Sequence, residues 1–219
     1  NLGKVIKSAC SITQGYEALY RRITQRQPEI IEALHKIQRR YPTPVYYLKY
    51  LLDMAVTGAF RIAAIERLQR TNIDIMVYGD EGWLKAGVVP PRLFRGVIAP
   101  QDLPSLYRRS RINLNLNFMQ VSSTVNPKVL DISACGGVVL TDYRPELEQL
   151  YPNPAVRPFA FHTLDEMVGM IDNLRTADLT QYVAATARHT REHHTLQQRA
   201  AWIAKRFNLE KSTEIIKQG

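Results

Sequence analysis

The residues best placed to do chemistry stand in one stretch: Ser122, Ser123 and Thr124, followed by Asn126, Pro127, Lys128 and Asp131. Three hydroxyl residues ahead of a helix start offer side-chain and backbone donors together. Asn126 suits the N-cap, Pro127 the first helical position, and Gly136 the left-handed residue after the helix end. A helix start carries roughly half a positive charge, and Lys128 adds a whole one within the first turn. Such a cradle fits a phosphate or a diphosphate. Asp131 lies three residues after Lys128, so the two share a helix face, and its carboxylate can accept hydrogen bonds from a ribose diol. The same spacing also describes a plain surface Lys–Asp pair on a capped helix, and the pattern alone leaves both readings open.

Other constellations carry less. Gly79-Asp80-Glu81-Gly82-Trp83 is a tight turn whose glycines let a backbone approach a ligand, with Trp83 either lining a pocket or packing behind the turn. It is not a dinucleotide fingerprint, and no P-loop spacing occurs. His189-Thr-Arg-Glu-His193 matches the form of a zinc peptidase motif, but the stretch is very polar and no third ligand is evident, so no metal site is expected. Tyr46, Tyr47 and Tyr50 among basic residues suggest base stacking, yet their helical spacing reads as packing, and no nucleic-acid partner is expected. There is no Gly-x-Ser-x-Gly and no Cys/His nucleophile arrangement.

The elements that must position these residues fall into two parts. Residues 1–70 read as a helical segment. Ile30, Ile31, Leu34 and Ile37 give one stripe, Tyr41-Pro-Thr-Pro44 stops it, and a long helix spans Tyr46 to Arg70. Its core-facing side is expected at Leu48, Leu51, Leu52, Ala55, Ile62, Ile65 and Leu68, with Gly58 as a weak point. Residues 71–219 then alternate short apolar runs with helical ones, the pattern of βα units on a parallel sheet, so the expected class is Rossmann-like α/β. Strands are expected at Ile73 to Tyr78, Phe94 to Ala99, Ile112 to Phe118 and Val138 to Thr141. Helices are expected at Gln101 to Arg109, Pro127 to Cys135, Pro145 to about Tyr151, Thr163 to Leu174 and Leu179 to about Phe207. No internal repeat is visible.

With 219 residues, 45% hydrophobic and 22% charged, the chain can bury one sizeable core or two small ones, which excludes disordered and collagen-like classes. No apolar run reaches the roughly 18 residues of a membrane span and no leader opens the chain, so a cytoplasmic location is expected. A chain that opens on Asn1 reads as a fragment or processed form. Cys10 and Cys135 stand far apart without metal-ligand spacing and read as small hydrophobes. The net charge of +9 is carried entirely before Gly136: residues 1–45 hold 8 basic and 3 acidic groups, 46–135 hold 11 and 7, and 136–219 hold 10 of each. A basic front half suits an anionic partner.

Residues 71–207 resemble the CgeB-like, spore-maturation-type glycosyltransferases, relatives of the retaining group with the GT-B fold. The segments that carry the resemblance are Ile75 to Trp83, Phe94 to Val97, Leu103 to Tyr107, Ser110 to Asn115, Asn126 to Asp142, Arg144 to Leu147 and His194 to Arg199. The resemblance implies the C-terminal, donor-binding domain of a GT-B enzyme, with the donor's base near Gly96, Val97 and Ile98 and its ribose held at Asp131. Members carry Arg and Phe-Glu where this chain has Lys128 and Leu130-Asp131, so charge type is kept at both places. The wider retaining group has an acid eight positions before the ribose carboxylate, where this chain has Ser123. An N-terminal acceptor domain is not identifiable in the helical front portion.

The resulting expectation is transfer of a sugar from a nucleoside-diphosphate donor to a glycan, protein or lipid acceptor, without a metal or other cofactor. Lys128, the helix start and Arg61 would stabilise the departing diphosphate. Gly79, Asp80, Trp83, Gly96, Val97, Ile98, Ser122, Ser123, Thr124, Asn126, Pro127 and Asp131 would bind the donor. The competing expectation is a non-catalytic basic interaction module that keeps the fold, motivated by Ser123.

Overall fold

The computed structural model describes residues 32, 36, 45–85, 87–118 and 123–207. Ser122, the stripe Ile30, Ile31, Leu34 and Ile37, and the side chains of Tyr46, Leu48, Leu51 and Leu52 lie outside what is described. Helix α1 spans Val45–Gln69 and runs unbroken through Gly58. Its buried stripe is Val56, Ala59, Phe60, Ala63, Ala64 and Leu68. Ala55 and Ile62, expected in the core, are only half-buried at the flank of that stripe. Ile65 is buried on another side, against Val89 and Leu93. Burying a side chain the size of Phe60 contributes about 2 kcal/mol, which fixes α1 against the sheet.

The sheet is parallel, with β1 (Asn113–Asn115), β2 (Val139–Asp142) and β3 (Phe159–Phe161) in the order β1-β2-β3. Asn115 pairs with Thr141, and Thr141 with Ala160. Around it lie α2 (Gly82–Lys85), α3 (Leu103–Arg109), α4 (Lys128–Ala134), α5 (Glu146–Leu150), α6 (Leu164–Leu174), α7 (Thr180–His193) and α8 (Leu196–Arg206). Helices thus flank a Rossmann-like parallel sheet. One core cluster joins α1 to Leu140, Phe161, Leu164, Met167 and Ile171, while a second joins Val129 and Ile132 of α4 to Val139 and Leu147. Among the described residues no helix is long and apolar enough to cross a membrane.

Four expectations need correction. Ile73 to Tyr78 and Phe94 to Ala99 do not form full strands: they meet in a single parallel bridge, Val77 with Phe94, extended by Gly79 N–H to Gly96 O at 3.0 Å. The expected third strand, Ile112 to Phe118, keeps ladder pairing only over Asn113–Asn115, because Asn117 turns its backbone N–H to the Asp142 side chain. Phe159–Phe161 was not foreseen as a strand: three residues after a proline-rich turn carry no periodic signal, and pairing with Leu140 to Asp142 alone makes them one. The single closing helix is two, because Thr195 and Gln198 form a capping box that starts a new helix.

The Gly136-Gly137 pair closes α4 onto the sheet. Gly136 takes φ +80, as the residue after a helix end often does. A Cβ on Gly137 would lie 2.7 Å from Ile132 Cγ2, 2.9 Å from Asn113 Nδ2 and 2.9 Å from the Tyr107 carbonyl oxygen. The close approach of α3, β1 and α4 therefore depends on a missing side chain.

Candidate functional site

The sequence Asn113-Leu114-Asn115-Leu116-Asn117 alternates amides with leucines. Leu114 and Leu116 pack toward the α1 cluster. The asparagines point the other way, and Asn115 and Asn117 are buried. Asparagine is disfavoured in strands, so buried ones must find partners. At the carboxyl end of the sheet they do. Asn117 Nδ2 donates to Thr141 Oγ1 at 3.0 Å and to Asp142 Oδ1 at 3.0 Å, and Asn115 Nδ2 donates to Thr141 Oγ1 at 3.1 Å. Asp142 also accepts the Asn117 backbone N–H at 2.7 Å and pairs with Arg144 at 2.9 Å, both residues being buried. Sequence reasoning missed this network, though three amides at period two were a signal for it.

The network holds the loop that enters α4. Asn117 Oδ1 accepts the Asn126 N–H at 2.6 Å, and Asn126 Oδ1 in turn accepts the Lys128 N–H at 3.0 Å, the cap its position foretold. From α5, Glu146 Oε2 accepts the Val125 N–H at 2.7 Å while its own N–H donates to the Ser123 carbonyl at 3.0 Å. Beside this loop opens a cleft of about 430 Å³, walled by Phe118, Thr124, Pro127, Leu130, Glu146 and Arg199. It lies at the carboxyl end of β1, where open parallel sheets bind their ligands.

Of the sequence-derived site residues, Thr124, Asn126 and Pro127 line the cleft. Ser123 is exposed beside it, held through its carbonyl. Lys128 and Asp131 are exposed on α4 and do not line the cleft, and no ion pair joins them. The Asp131 charge falls instead near the Tyr107 phenol, whose pKa is raised by burial first and by Asp131 second. Arg61 reaches the sheet edge from α1, donating to the Leu116 carbonyl at 3.1 Å with its guanidinium 4.5 Å from the Phe118 ring centre. Burial lowers the Arg61 pKa while Asp142 acts in the opposite direction.

The remaining candidates form a separate corner. Gly79 and Gly96 are hydrogen-bonded, Asp80 Oδ1 caps the Gly82 N–H at 2.7 Å, and the Trp83 indole lies against Gly79. Trp83 also packs on the cluster of Ile65, Val89 and Leu93. Val97 is 79% exposed and Ile98 half-buried. None of these lines the cleft.

Two histidines of the metal-like motif region have structural partners. The ring Nε2 atoms of His189 and His194 both approach the Leu150 carbonyl, at 2.9 and 2.7 Å. The two rings flank Tyr151, whose hydroxyl meets Thr190 Oγ1 at 2.8 Å. The pKa of His194 is lowered, first by burial, then by the charges of His189, Arg199 and His193, against the pull of the Leu150 carbonyl.

A family model described as glycosyl transferase-like matches residues 60–205, a span that holds the last turns of α1, the whole sheet, the polar network and every wall of the cleft. Neither a curated protein nor a solved structure matches the chain. With two thirds of its length under that model and a Rossmann-like sheet whose ligand edge carries the cleft, the chain belongs to the glycosyl transferase-like family.

Proposed function

We propose that the chain binds a nucleoside-diphosphate sugar at the carboxyl edge of the sheet and transfers the sugar to a glycan, protein or lipid acceptor, as a CgeB-like donor-binding domain of GT-B type. The observation that carries this reading is the cleft beside the Thr124–Pro127 loop, inside the span that the family model covers. In the transfer, the bond from the anomeric carbon to the diphosphate oxygen breaks and its electron pair leaves with the diphosphate. The acceptor oxygen forms the new bond, and its proton passes to the departing diphosphate oxygen. Lys128 stabilises the charge on the leaving group, with Arg61 behind Phe118 adding a fixed cation, so that no metal is required. Asp131 accepts the hydrogen bonds of the ribose diol.

Isothermal titration with UDP, GDP and their hexose conjugates, in the presence and absence of EDTA, tests the reading against an Asp131→Ala variant. Binding of one nucleotide that survives EDTA and weakens about tenfold in the variant supports it, since hydrogen bonds to a charged group are worth about 1.5–3 kcal/mol. Equal binding by both proteins removes Asp131 from the account, and no binding by the wild type overturns the donor reading.

A further inference from the structure

The walls of the cleft carry an unusual mixture of charge. Glu146 spends Oε2 on the Val125 N–H, and Oε1 accepts nothing from a described residue. Arg199, from α8, is exposed, and its guanidinium makes no hydrogen bond or ion pair with a described residue. Thr124 Oγ1 is likewise uncommitted among the described residues, while Phe118, Pro127 and Leu130 are apolar. An anion entering here meets a carboxylate, and a cation meets a guanidinium. A neutral polyol meets neither obstacle: its hydroxyls donate to Glu146 Oε1, accept from Arg199 and do both with Thr124, while its C–H face lies on the Phe118 ring. The chemistry of the cleft is therefore that of a sugar ring rather than of a diphosphate.

We propose that Glu146 and Arg199 hold the sugar being transferred, gripping its hydroxyls from two helices that line the cleft, α5 and α8. The proposal rests on the donor reading above and divides the donor between two places. The diphosphate belongs to the outer side of the loop, with Lys128, and the sugar belongs to the cleft. Glu146 brings a carboxylate to the Ser123–Val125 segment from another helix, so Ser123 need not be acidic for a carboxylate to reach the sugar. Which hexose fits is then set by residues from α5 and α8.

The test uses the full chain with Glu146→Gln, which keeps an oxygen acceptor for the Val125 N–H, and Arg199→Met, which keeps the stem of an exposed side chain. Affinities for UDP, UDP-glucose, GDP and GDP-mannose are measured by titration calorimetry. The expected result is a Kd for the bare diphosphate within about threefold of wild type in both variants, with the Kd for its sugar conjugate raised about tenfold. A purely structural role for Glu146 weakens both ligands together, or neither, and either outcome overturns the proposal. If the wild type binds no nucleotide, the donor reading falls by itself. The cleft is then decided with methyl glucoside and methyl mannoside by NMR: Arg199 side-chain shifts that appear in wild type and vanish in Glu146→Gln sustain the sugar site, and their absence overturns it.

Discussion

Replacing Asn117 by Ala tests whether the buried amide couples the sheet to the loop of the site. Asn117 is 1% exposed, and its side chain serves two acceptor and three donor contacts. Most partners have a second bond to fall back on: Asn115 Nδ2 and Thr141 Oγ1 keep each other at 3.1 Å, and Asp142 keeps the Asn117 N–H and Arg144. The Asn126 N–H has no replacement within the network, and an orphaned donor costs about 1–3 kcal/mol. With a further ~1 kcal/mol for the lost neutral bonds and the small void, Asn117→Ala is expected to cost about 2–4 kcal/mol. That shifts a urea midpoint down by about 1–2 M, measured by far-ultraviolet circular dichroism, and speeds exchange of the Asn126 amide measured by NMR. Asn117→Asp keeps the acceptor for Asn126 but sets a second carboxylate against Asp142 Oδ1. Its folded pKa rises, so this variant gains stability relative to wild type as pH falls and the new acid becomes a donor. An Asn117→Ala protein within about 0.5 kcal/mol of wild type, or an unchanged Asn126 exchange rate, refutes the coupling.

Two further outcomes follow from the packing around the site. Gly137→Ala is expected to lose about 2–4 kcal/mol, because its Cβ meets the Tyr107 backbone at 2.9 Å, whereas Gly136→Ala, with its nearest neighbour at 3.8 Å, loses only about 1 kcal/mol for its positive φ; equal urea midpoints would contradict this order. Folding lowers the His194 pKa below its ordinary 6.5, so the unfolded chain binds more protons and the histidine's contribution is intact above that value and lost as pH falls through the lowered one. The urea midpoint should drop as pH falls below 6.5, and His194→Gln, which keeps a donor for the Leu150 carbonyl, should flatten that slope. An identical slope in the variant excludes His194 as its source.

Local signals are enough to specify α4 and α6. The start and end of α4 follow from Asn126, Pro127 and Gly136, because the contacts that cap the helix, Asn126 Oδ1 with the Lys128 N–H and the Gly136 N–H with the Ser133 carbonyl, span no more than three residues. The stripe Leu164, Met167, Ile171 and Leu174 behind the Thr163 cap gave α6 in the same way. The break before α8 had a local signal too, Thr195 three residues ahead of Gln198, hidden by the surrounding polar run. Misplaced expectations concern which face of a helix is buried and which short segments pair, since both depend on a partner surface rather than on spacing.

The sequence by itself determined the α/β class and the helix that borders the site, because periodicity and caps are written between near neighbours. Only the tertiary structure decided that Asn117 would hold the loop of the site, that β3 would exist at all, and that Phe118, Glu146 and Arg199 would face one cleft. These residues come from segments tens of positions apart, and contacts of that range acquire meaning only after the loops between them have closed. Side-chain type announces what a residue can bond, while the fold chooses the partner.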